Sequence, residues 1–416
     1  YLQGVFTMRF DALEFRNVGR YIKTNYIDMR PLGFYDSHRV HEKLLKFNIM
    51  YDPGCGDGYM PLSELLYHFT RYAVMNVNNR ISRYHNPTST DSEFTLYFTV
   101  NNMQYKYYLN MNIDRDCGNI VNSELLCIID GERTRDLFAY ENGEYRVYCF
   151  NDADTQRMND ILHNHLNCNG TLLSTLYFEF KLHPDLAPVF EFFESIILYA
   201  PTDYIGHDHS ILEMLETADG VKLLSEWAHI IDNSVDKITP HANGKAAFNG
   251  TKSPLDKITV LSTKYIVYHG EYIESNRNII RELNDTSESF KTAMRLFAFI
   301  YINRGKTLVI DSLSTLPANI ARLLLILADV TNTQVIASIT NTDLIKMKYF
   351  RRDEINVIDS VCGVNSIQAI PDFNFDMDWS VEFEDFSEHL LKGTFGGVLP
   401  FDDFGKLRDR LAESSN

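Results

Sequence analysis

KFNIMYDPGCGDGYMPLSELLYHF, residues Lys46 to Phe69, is the stretch whose reading decides the fold. An apolar segment is followed by a turn dense in glycine and then by apolar residues at helical spacing, so it predicts strand, turn and helix. A phosphate-binding loop has this layout. It closes its turn in Gly-Lys-Ser/Thr, with the lysine on the β- and γ-phosphates and the hydroxyl on Mg²⁺. Here the turn closes in Gly58-Tyr59-Met60, so tyrosine replaces the lysine and methionine the hydroxyl. Gly54 and Gly56 leave the turn free to adopt positive φ. Amides at a helix start attract an anion, but the absent lysine removes a charge-assisted bond worth about 1.5–3 kcal/mol. Asp57 adds a carboxylate where phosphates would lie. The alternative is a structural turn with no ligand.

The rest of the chain is that of a folded protein. Of 416 residues, 45% are hydrophobic and 13% aromatic, enough for a large core and two or three domains. No apolar run of about 18 residues exists, so no membrane helix is expected. Val189 to Ala200 (VFEFFESIILYA) is too short, carries two glutamates and reads as a buried helix. A net charge of −17 argues against avid, nonspecific binding to a phosphate backbone. The six cysteines lack C-x-x-C spacing, which leaves a zinc site and a disulfide framework without support and points to reduced thiols in a cytosol. Residues 1–7, ahead of Met8, read as a cloning remnant.

Met8 to Ile27 alternates as strand, turn near Asn17-Val18-Gly19, and strand. Phe94 to Asn112 is a hairpin about Asn101-Asn102. Leu125 to Ile129 and Glu144 to Phe150 continue a β-rich lobe that ends near residue 150. The period then becomes helical over Asp154 to Leu166, Pro184 to Leu198 and Ser210 to Ile231, and residues 151–250 are expected to be a helical insertion. Asn233 to Asp256 reads as an exposed connection. From 251 to 416 buried strands alternate with helices. Lys257 to His269, Lys306 to Asp311, Thr333 to Ile339 and Ile355 to Ile358 are strands, and Phe290 to Asn303 and Ala318 to Ala328 are helices, a pattern that indicates a parallel sheet.

In this order the segments resemble the bacterial AAA-type ATPases with ABC-type heads of the DNA-repair kind, the group found in abortive-infection and phage-defence operons. Phe15-Arg16-Asn17-Val18 resembles that group's opening turn. Asn48 to Leu66 lies at the phosphate-loop position, and Val121-Asn122-Ser123-Glu124-Leu125 resembles its E-x-L strand. Leu283 to Lys291 (LNDTSESFK) stands where the ABC signature belongs, and Gly305 to Ser312 (GKTLVIDS) resembles Walker B. Asn332 to Leu344 resembles the switch segment, Phe350 to Ile355 an R-x-D-x-I element, and Leu391 to Pro400 the closing L-x-G-x-F-G segment. The resemblance implies an α/β fold: a P-loop-NTPase-like sheet with an N-terminal β-rich lobe and a helical insertion.

The resemblance also assigns roles, and the chain departs from most of them. Gly54, Gly56, Gly58, Tyr59 and Met60 occupy the nucleotide loop. Asp311 keeps the Mg²⁺ carboxylate, but the general-base position is Ser312, and loss of such a base slows catalysis roughly 10²–10⁴-fold. Asp311 has a second reading, as a cap for the turn before the helix at Ala318. Ser287-Glu288-Ser289 stands at Ser-x-Gly, so Ser289 puts a side chain where a partner's γ-phosphate needs bare backbone, and Ser287 also suits an N-cap. The switch histidine is Asn341, after Thr340, and the histidine expected after Walker B is absent from Leu316-Pro317-Ala318. The expectation is an ATPase head that no longer hydrolyses ATP, with no cofactor needed, or ATP and Mg²⁺ if any. It would act as a scaffold or regulatory subunit, as a homodimer or with an active paralogue or effector, without a membrane. The alternative is an atypical active ATPase, possible on nucleic acid. His207-Asp208-His209 reads as solvent-facing loop residues without a third metal ligand. Asp376 to Asp385 reads as a solvated acidic face.

Overall fold

The computed structural model describes residues 8–31, 45–52, 62–76, 81, 84, 91–113, 119–148, 152–165, 170–200, 204–240, 255, 258–268, 271–311, 313–340, 342–345, 350–361, 364–372 and 390. The chain is α/β and divides into two compact units, one of Thr7–Ile196 with Ile336–Asn416 and one holding Ile197–Val335.

The first unit is built on a seven-stranded antiparallel sheet in the order β2-β1-β4-β5-β6-β7-β8. Its strands are β1 (Met8–Arg16), β2 (Asn25–Asp28), β4 (Asp91–Val100), β5 (Met103–Asn112), β6 (Ile120–Asp130), β7 (Arg133–Glu141) and β8 (Glu144–Val147). β4 and β5 form the expected hairpin. Asn101 and Asn102 both take positive φ, 50° and 65°, the backbone twist a two-residue turn requires. Alternation puts Phe94, Leu96 and Phe98 of β4 and Tyr105, Tyr107 and Leu109 of β5 on one buried face. Helices α1 (Ser63–Met75), α3 (Leu172–Phe180) and α4 (Ala187–Ser195) belong to this unit, as does α2 (Asp152–His165). α4 packs on β4 and β1, and α1 packs on α3 and α4. Phe98 lies between rings, stacked on Phe192 at 4.1 Å and on Tyr105 at 5.1 Å.

The same unit holds β3 (Phe47–Tyr51), β15 (Ile355–Val361) and β16 (Val364–Ala369), in the order β16-β15-β3-β14, where β14 is Gln334–Ile339. All five residues of β3 are buried. β3 runs parallel to β15, with Ile49 opposite Ile355. On its other edge the Asp52 N–H donates to Ile339 O at 2.9 Å, which ties like end to like end, so β3 and β14 run the same way.

The Ile197–Val335 unit holds the order β14-β13-β9, with β13 at Thr307–Ile310 and β9 at Ile196–Tyr199, and β14 begins in it. The Gln334 N–H donates to Lys306 O and the Asp311 N–H to Tyr199 O, so these strands are also parallel. Around them stand α5 (Tyr204–Leu215), α6 (Ala218–Ile231), α7 (Glu288–Ile302) and α8 (Ala318–Val330). A three-stranded sheet, β10 (Val235–Pro240), β11 (Ile258–Tyr268) and β12 (Glu271–Glu282), completes the unit. Trp227 of α6 stacks on Phe297 of α7 at 5.1 Å, and its Nε1–H donates to Ala293 O.

Three expectations need correction. Val189 to Ala200 is a helix only to Ser195. The next residues, the β-branched pair Ile196-Ile197 with Leu198-Tyr199, leave it to form β9, because an edge position beside β13 satisfies their backbone. Ser210 to Ile231 is two helices, since the Thr217 side chain caps α6 by accepting from the Gly220 N–H. A Cβ on Gly220 would lie 1.9 Å from Met214 O, so this corner admits only glycine. Asn233 to Asp256 is not wholly a connection: Val235 and Ile238 are buried in β10, which pairs with β11. The stretch 151–250 is therefore helical with two strands in it. Residues 151, 166–169, 201–203 and 241–250, like 1–7 and Asp376 to Asp385, lie outside the described residues.

Removing the Phe98 ring tests the aromatic core. Phe98→Ala should lower the unfolding free energy by about 3–5 kcal/mol, read as a fall in the denaturant midpoint. A change near zero would show that the rings do not organise this unit.

Candidate functional site

The strand and helix that flank the glycine turn are in place. β3 is buried throughout, and α1 starts after Leu62, which makes no side-chain cap. The turn itself, with Gly54, Gly56, Gly58, Tyr59 and Met60, lies outside the described residues. Sequence reasoning passed over Glu64. It lies in the first turn of α1, 6% exposed, with its Oε2 3.0 Å from the Nε2 of His68 one turn on. A carboxylate there complements the positive end of the helix dipole. It also occupies electrostatically the end of the helix that an incoming phosphate would need. The signal was legible as an i, i+4 Glu–His pair at a helix start.

Asp311 ends β13, half-buried, and its N–H donates to Tyr199 O at 3.1 Å. It does not cap α8. The N-cap there is Pro317, with no side-chain cap, after a short 3₁₀ turn at Leu313–Thr315. Proline suits a helix start because it has no N–H to lose. Ser312 and Asn341, expected at the general-base and switch positions, lie outside the described residues.

At the signature position the serines have separate fates. Ser287 is the N-cap of α7, and its Oγ accepts from the Phe290 N–H at 3.2 Å. Glu288 and Ser289 are exposed in the first turn. The Glu288 carboxylate is gathered by two buried cations of its own helix: Lys291 Nζ at 2.5 Å and Arg295 Nη1 at 3.9 Å. Lys291 Nζ also donates to Asn284 O at 3.2 Å. The start of α7 is thus closed by its own side chains. Asp311, Ser287 and Ser289 all belong to the Ile197–Val335 unit, and β3 and α1 to the other. A groove of about 880 Å³ between α6 and β10, lined by Val221, Ser225, His229 and Lys237 among others, contains none of the three.

His207-Asp208-His209 is not in a loop. It sits on α5, where His207 and Asp208 are 3% and 2% exposed and only His209 faces water. The His207 ring stacks on Tyr199 at 3.9 Å, with its Nε2 2.8 Å from Ala200 O. Asp208 Oδ1 accepts from Arg295 Nε at 2.6 Å in a buried ion pair. The triplet holds α5 to β9 and α7. Among the described residues no three His, Cys, Asp or Glu side chains are grouped to hold a metal ion. No described helix is long and apolar enough to cross a membrane.

ATP and Mg²⁺ are the groups the resemblance implies; the turn expected to hold them lies outside the described residues, and two described groups run against them. Glu64 puts a carboxylate at the start of α1, and Ser287 spends its hydroxyl on a cap. No catalytic step through a nucleotide is derived from this arrangement.

No family model matches the chain, and no curated protein does. Solved structures similar to it include the following three. The SMC head domain from Thermotoga maritima is 12% identical with a TM-score of 0.42, over 87% of this chain and 98% of that one. The recombination mediator protein RecF with ATP, of the RecFOR pathway, is 12% identical with a TM-score of 0.36, over 89% and 100%. RecF with ATPrS is 13% identical with a TM-score of 0.35, over 87% and 99%.

Two substitutions test the structural assignments. Asp208→Asn leaves the buried Arg295 charge with only the exposed Glu288 carboxylate, 3.9 Å away, as counterion and should destabilise the fold by about 3 kcal/mol. Excess zinc should leave the unfolding midpoint of the unaltered chain where it is, whereas a zinc-dependent rise would make the triplet a metal site. Ser287→Ala should remove about 1 kcal/mol through the lost cap, seen as a small drop in Tm.

Proposed function

We propose that this chain is an ATPase-like head that no longer hydrolyses ATP and acts as a scaffold or regulatory subunit. The reading rests on one observation: the lysine and hydroxyl that grip a triphosphate are replaced by Tyr59 and Met60, between a fully buried strand and a helix whose first turn already carries Glu64. Ser312 at the general-base position, Ser289 at the signature glycine and Asn341 at the switch histidine agree with it. The losses fall on groups that do chemistry, while the strands around them keep their apolar pattern. Selection for the framework without the reaction produces that asymmetry. The strand order supports the head assignment, because β3 and β13 each lie inside a run of parallel strands, as a buried α/β sheet requires.

Heads of this kind pair face to face, so the proposed partner is a second copy or an active ATPase paralogue or effector, in the cytoplasm, within a phage-defence or toxin–antitoxin-like module. Without hydrolysis to open it, such a pairing would be constitutive or would be closed by the partner. Binding of nucleic acid is the weaker reading, given the net charge of −17.

Calorimetric titration of the unaltered chain with ATP and Mg²⁺ should show neither turnover nor binding at micromolar concentrations, and micromolar binding with turnover would overturn the proposal. Tyr59→Lys, Met60→Ser and Ser312→Glu introduced together should restore nucleotide binding. A folded triple variant that stays inert would count against the head assignment itself.

A further inference from the structure

Strand β6 carries a glutamate that the triphosphate reading does not use. Glu124, of the E-x-L segment, is 1% exposed. Its Oε1 accepts from the Tyr107 hydroxyl of β5 and from the Leu173 N–H, both at 2.9 Å, and its Oε2 accepts from the Leu172 N–H at 2.5 Å. Leu172 and Leu173 open α3, so the carboxylate sits on amides that have no partner within the helix and at the positive end of its dipole. The Ser174 N–H goes to Thr171 Oγ1 at 3.0 Å, and the Thr171 hydroxyl donates to Ala73 O, in the last turn of α1, at 2.6 Å. One carboxylate and one hydroxyl therefore join β6, the start of α3 and the end of α1.

The titratable groups that face Glu124 are two phenols, Tyr107 of β5 and Tyr72 of α1, both pushed up by burial and so neutral. From α3 it meets backbone amides, and the first turn there holds no acidic side chain. Burial pushes the Glu124 carboxyl up to about 7, against the pull of its three donors.

An ionised carboxylate only accepts, so it satisfies all three donors at once. Once protonated it has an O–H to place. Of its three partners only the Tyr107 oxygen can accept that proton, and the protonated oxygen is a poor acceptor for an amide. We propose that Glu124 is a proton-operated clasp: ionised, it holds the first turn of α3 against β6, and protonated it releases one of the two amides, loosening the α3 start and the Thr171 tie to α1. Because α1 follows the glycine turn in sequence, the clasp links proton concentration to that helix, whether or not nucleotide binds.

Local order and global stability respond to pH in opposite directions. The folded chain keeps a proton that the unfolded chain, with its ordinary glutamate value of 4.5, has released. The stability Glu124 contributes is therefore full below about 4.5 and falls as pH rises to about 7, while the amide bonds to α3 strengthen over the upper part of that range.

Amide and carboxyl NMR spectra of the full chain, from about pH 5.5 to about pH 8.5, test the clasp. The Leu172 and Leu173 amide protons should move downfield as pH rises, with a midpoint near 7 shared by one glutamate carboxyl carbon. Glu124→Gln should abolish the transition, and Tyr107→Phe should move it to higher pH because the anion loses a donor. Amides that stay flat in the unaltered chain, or a transition that survives Glu124→Gln, would overturn the proposal. Should Glu124→Gln fail to fold, the carboxyl titration of the unaltered chain still decides, since a Glu124 carboxyl that is ionised throughout the range ends it.

Discussion

Five consecutive buried residues, Phe47 to Tyr51, impose the constraint from which the architecture follows. A strand with no solvent edge must find backbone partners on both sides, and β15 and β14 provide them. Both neighbours run parallel to it, and parallel strands need crossovers that cover the faces. The long excursions of the chain between β3 and its neighbours are what this requires. One of them, from α1 through β4 to α4, builds the antiparallel lobe on the way.

Three of the acidic groups buried in this framework are occupied with holding it together. Asp208 is held by Arg295, Glu64 lies beside His68, and Glu124 takes two amides of α3 and the Tyr107 hydroxyl. The Asp208 and Glu124 bonds join elements that hydrophobic packing alone would leave free to slide, while the Glu64–His68 pair lies within α1. A group so engaged cannot serve a substrate without giving up structure. The start of α7 shows the same economy, with Ser287 as a cap and Glu288 gathered by Lys291 and Arg295. Helix starts elsewhere are places to bind anions, but α1 and α7 meet their own carboxylates.

Much of the fold was legible in the residues. Asn101-Asn102 announced the β4–β5 turn because few side chains accept positive φ twice in succession. Ser287, three residues before Phe290, announced the start of α7. Legibility failed where local signals conflicted. VFEFFESIILYA is apolar at both periods, and only the free edge of β13 decides that Ile196–Tyr199 extends. HDH read as loop residues without a third ligand, but burial against Tyr199 and Arg295 places His207 and Asp208 in the core of α5.

The sequence by itself determined the alternation of strand and helix, the hairpin, and that Tyr59, Met60 and Ser312 stand where the resemblance expects lysine, hydroxyl and base. These are properties of residue identity and spacing, which no packing alters. Tertiary structure alone decided that β9 and β10 are strands and that His207 and Asp208 are core residues. It also decided that Glu124 meets the amides of Leu172 and Leu173, 48 and 49 residues away. Partners that distant in the chain are chosen by where the sheet and helices come to rest, and spacing along a sequence carries no record of that.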